Sequence, residues 1–237
     1  MDGKIRVQKI ICNNSDISRR KAEKLIDDGK VKVNGVIVSL GASADPFKDE
    51  ILVNNKRIVL VEKKYLALNK PVGCVTSTFD PHEKTVMKYI PKKFGSFNLF
   101  PVGRLDKDSE GLLLLSNDGD FANKVMHPSN NVKKTYRGVV SGVLSKKDIS
   151  SLRSGVVLEE GVAKCKIKFE VLKGETLFEV TIDTGWNRQI RRMFEVLGFE
   201  VVKLKRVRIG KLDLKDLEGK LYKEYSKSEI EEKIGLK

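Results

Sequence analysis

The sequence predicts an α+β protein in which a small N-terminal helix-hairpin domain precedes a larger domain built on a mixed, mostly antiparallel sheet. Two observations support this fold class. An amphipathic helix and a hairpin signal follow each other near the N-terminus, and the pattern then changes to many short strands with few helices. Because 40% of the 237 residues are hydrophobic, the chain can bury a core in two unequal domains. We place these domains at residues 1–62 and 63–237.

Two helices are predicted at the start of the first domain. The first is indicated by the spacing of Val7, Ile10 and Ile11. The second opens near Ser18, with Asp16 or Ser18 as its cap, and runs to Asp28 before the stop signal of Gly29. Its apolar face is formed by Ala22, Leu25 and Ile26. The basic residues of this helix lie mostly off the apolar face and can contact solvent or phosphate: Arg19, Arg20, Lys21 and Lys24.

A β-hairpin is predicted after the second helix. Asn34 and Gly35 separate two runs rich in β-branched residues, Lys30–Val33 and Val36–Val38. An Asn-Gly pair between such runs favours a type I′ turn. Farther along, Asn54–Arg57 and then the charged residues 62–64 indicate the end of the domain and a short polar linker.

The second domain is predicted to be rich in strands. Apolar and polar residues alternate around Phe178, Val180 and Ile182, which is the period of a half-buried strand. The expected strands are Tyr65–Asn69, Leu112–Ser116, Thr135–Val140, Lys164–Val171, Leu177–Asp183 and Val201–Val207. The expected helices are Asp120–Met126 and Arg188–Leu197, the second of which ends at Gly198.

The net charge of the chain indicates which class of molecule it binds. A net charge of +14 predicts a polyanion, bound through phosphate neutralisation and counterion release. Both predicted domains are basic, so the charge does not belong to a tail. The sequence lacks an apolar run of about 18 residues and an apolar N-terminal stretch. We therefore expect a cytoplasmic protein without a membrane span.

Neither a disulfide framework nor a metal site is expected. The three cysteines, Cys12, Cys74 and Cys165, are odd in number and far apart in the sequence. The two histidines, His82 and His127, have no Cys or His nearby in the sequence. A zinc site normally needs four such ligands at short spacings, so none is predicted.

The most unusual stretch is a polar loop bounded by Gly103 and Gly111 and followed by four leucines, which predict a buried strand. A loop anchored in this way is a common means of presenting a catalytic group. Its carboxylates are Asp106, Asp108 and Glu110. From chemistry alone they suit divalent metals, as in a nuclease, or turns and caps. The spacing does not decide between these alternatives.

Four motifs in this order along the chain resemble those of the pseudouridine synthases, and more narrowly the ribosomal RNA branch named after RsuA. They are Asn69–Gly73, Gly103–Asp106 with Ser109–Gly119, Lys134–Tyr136 and Gly185–Phe194. The first domain, with Ser18–Ile26 leading into Val31–Gly35, is similar to the αL-type RNA-binding domain first described in a ribosomal small-subunit protein. Together the resemblances cover essentially the whole chain.

The resemblance implies an isomerase that needs no cofactor and converts a specific uridine to pseudouridine. It makes Asp106 the essential carboxylate, which attacks the sugar or the base or removes a ribose proton; these routes stay open. It makes Arg191 the cation that pairs with Asp106, although Arg191 could instead form a surface pair with Glu195. It makes Tyr136 the ring that stacks on the flipped uracil.

The resemblance also implies ribosomal RNA as the partner, free or in assembling subunits, bound by a monomer. The sequence around Phe121–Pro128 looks more like the large-subunit enzymes. The candidate RNA-binding residues are Arg19, Arg20, Lys21, Lys24, Lys32, Arg104, Arg188 and Arg192. Two other functions compete with this hypothesis: a metal-dependent nuclease that uses the acidic loop, and a ribosome assembly factor that binds RNA without catalysis.

Overall fold

The computed structural model describes residues 3–236, which form two compact units. Within these residues, the first unit comprises residues 3–64 with the short segments Pro91–Leu99 and Asn117–Gly119, and the other described residues form the second. The two short segments were assigned to the second domain from the sequence, which was divided into uninterrupted stretches. Such short segments, which belong to a unit formed mainly by an earlier part of the chain, differ from their neighbours neither in composition nor in periodicity.

The two predicted helices of the first unit are present as α1 (Val7–Asn14) and α2 (Arg19–Asp27). The Ser18 hydroxyl caps α2 by accepting a hydrogen bond from the backbone N–H of Lys21 at 3.3 Å. This satisfies one of the N–H groups that a helix leaves free at its start. The core of the unit is formed by Val7, Ile10, Ile11, Ala22, Ile26, Val31, Ala44, Ile51 and Val53.

The strands of the first unit form two small antiparallel sheets. In one, β1 (Ile5–Arg6) pairs with β4 (Ser43–Ala44). The other has the order β3-β2-β5-β6 and consists of β2 (Val31–Val33), β3 (Val36–Ile37), β5 (Ile51–Val53) and β6 (Lys56–Arg57). Asn34 and Gly35 have φ of 51° and 82°, as the predicted type I′ turn requires.

The interpretation of Asn54–Arg57 as part of a polar linker was wrong, although the first stretch of the unit does end at Lys64. Asn54 and Asn55 are the turn of a second hairpin, with φ of 48° and 60°, and Lys56 and Arg57 form β6. Asparagine tolerates the left-handed region because its short side chain can bond locally. A polar Asn-Asn pair is therefore compatible either with a linker or with a hairpin turn. The pairing of β5 with β2 favours the hairpin turn.

The second unit is built on a nine-stranded sheet whose main path has the order β13-β14-β10-β15-β9-β7-β17. Only the β15–β9 pair is parallel, so the predicted mixed, mostly antiparallel sheet is confirmed. The main strands are β7 (Tyr65–Lys70), β9 (Glu110–Ser116), β10 (Lys134–Ser141), β13 (Lys166–Leu172), β14 (Glu175–Ile182), β15 (Val201–Ile209) and β17 (Tyr222–Tyr225). Two short strands join this path, β8 (Phe100–Val102) beside β9 and β16 (Leu212–Asp213) beside β15. A separate hairpin consists of β11 (Val156–Leu158) and β12 (Gly161–Ala163).

Four α-helices complete the chain: α3 (Gly119–Met126), α4 (Lys146–Ser154), α5 (Gln189–Glu195) and α6 (Lys227–Ile234). The sequence predicted α3 and α5 but not α4 and α6. Short 3-10 helices lie at Val86–Tyr89, Lys92–Phe97, Pro128–Asn130 and Leu214–Leu217. Among the described residues, no helix is long and apolar enough to cross a membrane.

The four consecutive leucines Leu112–Leu115 are fully buried in β9, which confirms the predicted buried strand. Leu112 and Leu114 belong to a core cluster with residues of β7, α3 and α6. Because side chains of a strand alternate between faces, Leu113 and Leu115 are buried on the opposite face. A strand with apolar contacts on both faces is a rigid support for the loop that precedes it.

Candidate active site

The loop between β8 and β9, residues 103–109, is held in place by hydrogen bonds from the buried side chain of Lys70. The Lys70 side chain is fully buried, and its Nζ donates to the carbonyl oxygens of Pro71 at 3.1 Å, Asp106 at 3.0 Å and Ser109 at 2.7 Å. Burial lowers the pKa of the Lys70 ammonium from its ordinary value. Two of the three carbonyls belong to the loop, so Lys70 fixes the backbone on both sides of residues 107 and 108.

The Asp106 carboxylate is accessible to solvent. Its side chain is 30% exposed, and the nearest cation is Arg188, whose Nη1 lies 3.9 Å from Asp106 Oδ2. The resemblance implied that Asp106 pairs with Arg191. In the structure it is half-exposed, and the ion pair comes from Arg188 instead.

Arg191 binds the neighbouring Asp108. Its Nη2 lies 3.2 Å from Asp108 Oδ2 and donates to the Asp108 carbonyl oxygen at 3.1 Å, while Nη1 donates to the carbonyl oxygen of Val201 at 2.6 Å. Arg188 Nη1 also contacts Asp108 Oδ2 at 3.2 Å. Arg188 immediately precedes α5 and has a left-handed φ of 45°, whereas Arg191 lies in the first turn of the helix. Both side chains reach the loop, and the alternative pair with Glu195 is not found among the described ion pairs.

Tyr136 lies on β10 and has Arg206 of β15 as its direct cross-strand neighbour. Arg206 Nη1 donates to the Tyr136 hydroxyl at 3.4 Å, and the guanidinium carbon is 5.9 Å from the ring centroid. The Tyr136 ring is buried, with 8% of the residue exposed. Directly opposite residues of paired strands project to the same face, so this contact follows from the register.

Arg206 is the residue of this region that the sequence analysis missed. It is 4% exposed, its Nε donates to the carbonyl oxygen of Leu112 at 2.6 Å, and Nη1 lies 3.5 Å from the carbonyl oxygen of Arg104. Nη2 is buried and has no hydrogen-bond partner among the described residues. Arg206 thus connects Tyr136 to the start of the Asp106 loop and to the strand after it.

Gly111 makes this arrangement possible. Its φ is +106°, a conformation that residues with a side chain rarely adopt, and a Cβ there would overlap the backbone of Arg206. The absence of a side chain lets β15 run close beside β9 at Arg206. This was the available sequence signal for Arg206, because a glycine just before a leucine-rich strand indicates close backbone approach.

Comparison with known proteins decides the family. The family model for RNA pseudouridylate synthase matches residues 64–196, more than half of the chain. This chain belongs to the RNA pseudouridylate synthase family. A second family model, the S4 domain, matches residues 5–43. The predicted family and its N-terminal RNA-binding domain are therefore confirmed, and the chain is an isomerase.

Individual relatives agree with this family. Ribosomal large subunit pseudouridine synthase B of Bacillus subtilis (strain 168) is 43% identical over 221 residues, which cover 90% of this chain and 88% of the relative. Dual-specificity RNA pseudouridine synthase RluF of Escherichia coli (strain K12) is 38% identical and covers 90% of this chain, with 72% of its own length covered. A crystal structure of a pseudouridylate synthase has a TM-score of 0.66 and 32% identity, over 97% of this chain and 99% of that one.

The remaining candidate RNA-binding residues of the synthase fall into two groups. Arg20, Lys21 and Lys24 are exposed on α2, where they are available to a polyanion. Three of the others have protein partners. Arg19 lies 3.4 Å from Glu23, Lys32 donates to the Asn55 side chain at 3.3 Å, and Arg192 pairs with Glu160 at 2.6 Å. The hydrogen bond with Glu160 raises the pKa of Arg192. Arg104, in the Asp106 loop, is exposed.

The acidic loop of the synthase does not assemble a metal-binding cluster. Within residues 3–236, no group of three or more His, Cys, Asp or Glu side chains is arranged to hold a metal ion. The three cysteines are free, and burial raises the pKa of the Cys165 thiol to about 11. The nuclease alternative and the purely binding alternative both lose support once the family is known.

Proposed function

We propose that this synthase converts one uridine of ribosomal RNA to pseudouridine, that its target lies in the large subunit, and that Asp106 is its essential catalyst. The observation that supports ribosomal RNA of the large subunit as the substrate is the match to a large-subunit synthase over 90% of this chain. The position of Asp106 supports its role, since the loop around it is anchored by Lys70 and its carboxylate is accessible.

The reaction exchanges one bond to the ribose for another. The C1′–N1 bond breaks with its electron pair going to the uracil, the base turns, C5 bonds to C1′, and the proton lost from C5 is balanced by a proton taken up at N1. Atoms and electrons balance without an oxidant or reductant. A carboxylate suits this chemistry either as a nucleophile or as a base. Asp106 does one of these, and Arg188 Nη1 lies 3.9 Å from its carboxylate.

Tyr136 is the proposed contact for the target base. A uridine inside structured RNA must leave its stack before it can react, which costs a few kcal/mol. Stacking on an aromatic ring returns about 1–3 kcal/mol of this cost. Arg206 holds the Tyr136 hydroxyl, so the ring is positioned before the RNA arrives. Such preorganisation lowers the entropy lost on binding.

The proposal is tested by mapping pseudouridines in ribosomal RNA from cells that lack the protein. We expect one site in the large-subunit RNA to lose its modification and to regain it when the wild-type gene is supplied. A gene encoding Asp106→Asn should not restore it. An unchanged map would refute the assignment of the substrate, and a lost site in the small-subunit RNA would refute the choice of subunit.

The first unit is proposed to dock on the RNA through the exposed cations of α2. Replacing Arg20, Lys21 and Lys24 together by glutamine should weaken binding and make it less dependent on salt. Each phosphate contact contributes about 0.7–0.9 to the slope of log affinity against log salt, so the slope should fall by about 2–3. The measurement is a set of binding titrations at several salt concentrations.

A matched variant separates this docking role from the general effect of charge. Lys146, Lys147 and Lys164 are exposed lysines of the second unit, and their replacement by glutamine removes the same net charge. The slope of this control should change by less than half as much. Equal slopes in the two triple variants would contradict a specific role for α2.

A further inference from the structure

A closed loop, residues 76–84, lies beside the Asp106 loop in the second unit. Its ends are joined by backbone hydrogen bonds, from Val75 N to the Lys84 carbonyl oxygen at 2.9 Å and from Val86 N to the Val75 carbonyl oxygen at 3.0 Å. Val75 and Thr85 also form a β-bridge. We call these residues the 76–84 loop.

The 76–84 loop is attached to both sides of Asp106. The Thr76 hydroxyl donates to the carbonyl oxygen of Leu105 at 2.6 Å and accepts from Leu105 N at 3.2 Å. On the other side, Lys107 Nζ lies 2.6 Å from Glu83 Oε1. Leu105 and Lys107 are the two chain neighbours of Asp106, so the loop is held in a fixed place next to the proposed catalyst.

The tip of this loop is also ordered from within. Asp80 Oδ1 accepts hydrogen bonds from the backbone N–H groups of His82 at 3.0 Å and Glu83 at 2.9 Å. A carboxylate that accepts from two successive N–H groups closes a turn and restricts the backbone around it. The side chain that precedes Asp80 is therefore presented in a restricted set of positions.

That side chain is Phe79, which is 78% exposed. Within the described part of the second unit, no other large hydrophobic side chain is as exposed. Scattered apolar residues on a surface are ordinary. Phe79 differs in that it stands on a loop that is hydrogen-bonded to the segment carrying Asp106, and the same loop carries the exposed Lys84.

We propose that Phe79 is a stacking platform for an unpaired base of the RNA substrate next to the target uridine. This inference rests on the proposed function. When a uridine leaves its stack, the neighbouring base loses a partner, and an aromatic ring can take the empty place. Every base has a π-face, so such a ring accepts any neighbour, while the exposed Lys84 of the same loop suits a backbone phosphate. An RNA strand fits this combination of an aromatic ring and a cation better than an apolar groove of a protein does.

The test compares full-length wild type with Phe79→Ala and Phe79→Tyr on an RNA fragment that contains the mapped uridine. Losing one stacked base should raise KM and Kd about fivefold or more for Phe79→Ala, while kcat at saturating RNA changes less than about twofold. Phe79→Tyr keeps the ring and should stay within about twofold of wild type. Val157→Ala, at an exposed apolar position on β11, is the matched control and should change neither constant.

A second readout reports the stacking itself. A fluorescent 2-aminopurine placed next to the target uridine, on either side in turn, should be quenched by wild type and by Phe79→Tyr but not by Phe79→Ala. Unchanged KM and Kd for Phe79→Ala, or no difference in quenching at either neighbour, would overturn the inference and leave the proposed function intact. If wild type forms no pseudouridine in this RNA, the proposed function and the inference fall together.

Discussion

Replacing Asp106 by asparagine is expected to lower the rate of pseudouridine formation by at least about 10³-fold, because the amide can act neither as a nucleophile nor as a base at this position. RNA affinity should stay within a few fold of wild type, since the two side chains have nearly the same shape. The measurement is a single-turnover assay at saturating RNA, combined with a binding titration of the same protein.

Asp108→Asn is the matched control, because it makes the same chemical change two residues away. The Asp108 carboxylate contacts both Arg188 and Arg191, and its side chain is 49% exposed. Ion pairs that are not fully buried contribute up to about 1 kcal/mol each, so the loss of two should lower the rate by about 30-fold or less. If Asp108→Asn were the inactive variant and Asp106→Asn the active one, the assignment of the catalyst would have to be exchanged.

Replacing Lys70 by methionine is expected to destabilise the protein by about 3 kcal/mol, because three carbonyl oxygens lose a charged donor in a buried place. The change should also lower activity, since two of these carbonyls hold the backbone of the Asp106 loop. Urea denaturation followed by circular dichroism gives the free energy of unfolding, and the single-turnover assay gives the rate.

Lys134→Met separates the hydrogen bonds of Lys70 from the burial of a lysine as such. Burial lowers the pKa of Lys134 as it does that of Lys70, but Lys134 Nζ has no hydrogen-bond partner recorded among the described residues. Removing a partly buried charge without partners costs little, so the free energy of unfolding should change by less than about 1 kcal/mol. Equal destabilisation by both substitutions would show that the three carbonyl contacts of Lys70 are not what matters.

Elements that depend on interactions between residues close together in the sequence were predicted well. The Ser18 cap, the Asn34-Gly35 turn and the four leucines of β9 each act through neighbours in the chain. Two missed helices also had local signals. Ser145 with Asp148 before α4, and Ser226 with Glu229 before α6, form capping boxes whose spacing is visible in the sequence.

Arg191 lies at the Asp106 loop, but its ion pair is with Asp108 and not with Asp106 as the sequence predicted. Whether Arg191 meets Asp106 or Asp108 depends on how α5 lies against the loop, and helix periodicity does not contain that register. Arg206 was missed for a related reason. It stands in a strand rich in lysine and arginine, where a buried cation and a solvated one look alike in the sequence, and only the position of β15 between β10 and β9 distinguishes them.

The position of β15 also bears on how the chain folds during synthesis. The ribosome completes β9 and β10 well before β15, yet β15 lies between them in the sheet. Pairings between distant segments form slowly because the chain must first close a long loop. Until β15 emerges, β9 and β10 each have an edge without its final partner, and such edges can pair with other chains. Because β15 also supplies Arg206, we expect nascent chains that stop before Val201 to be both inactive and prone to aggregation.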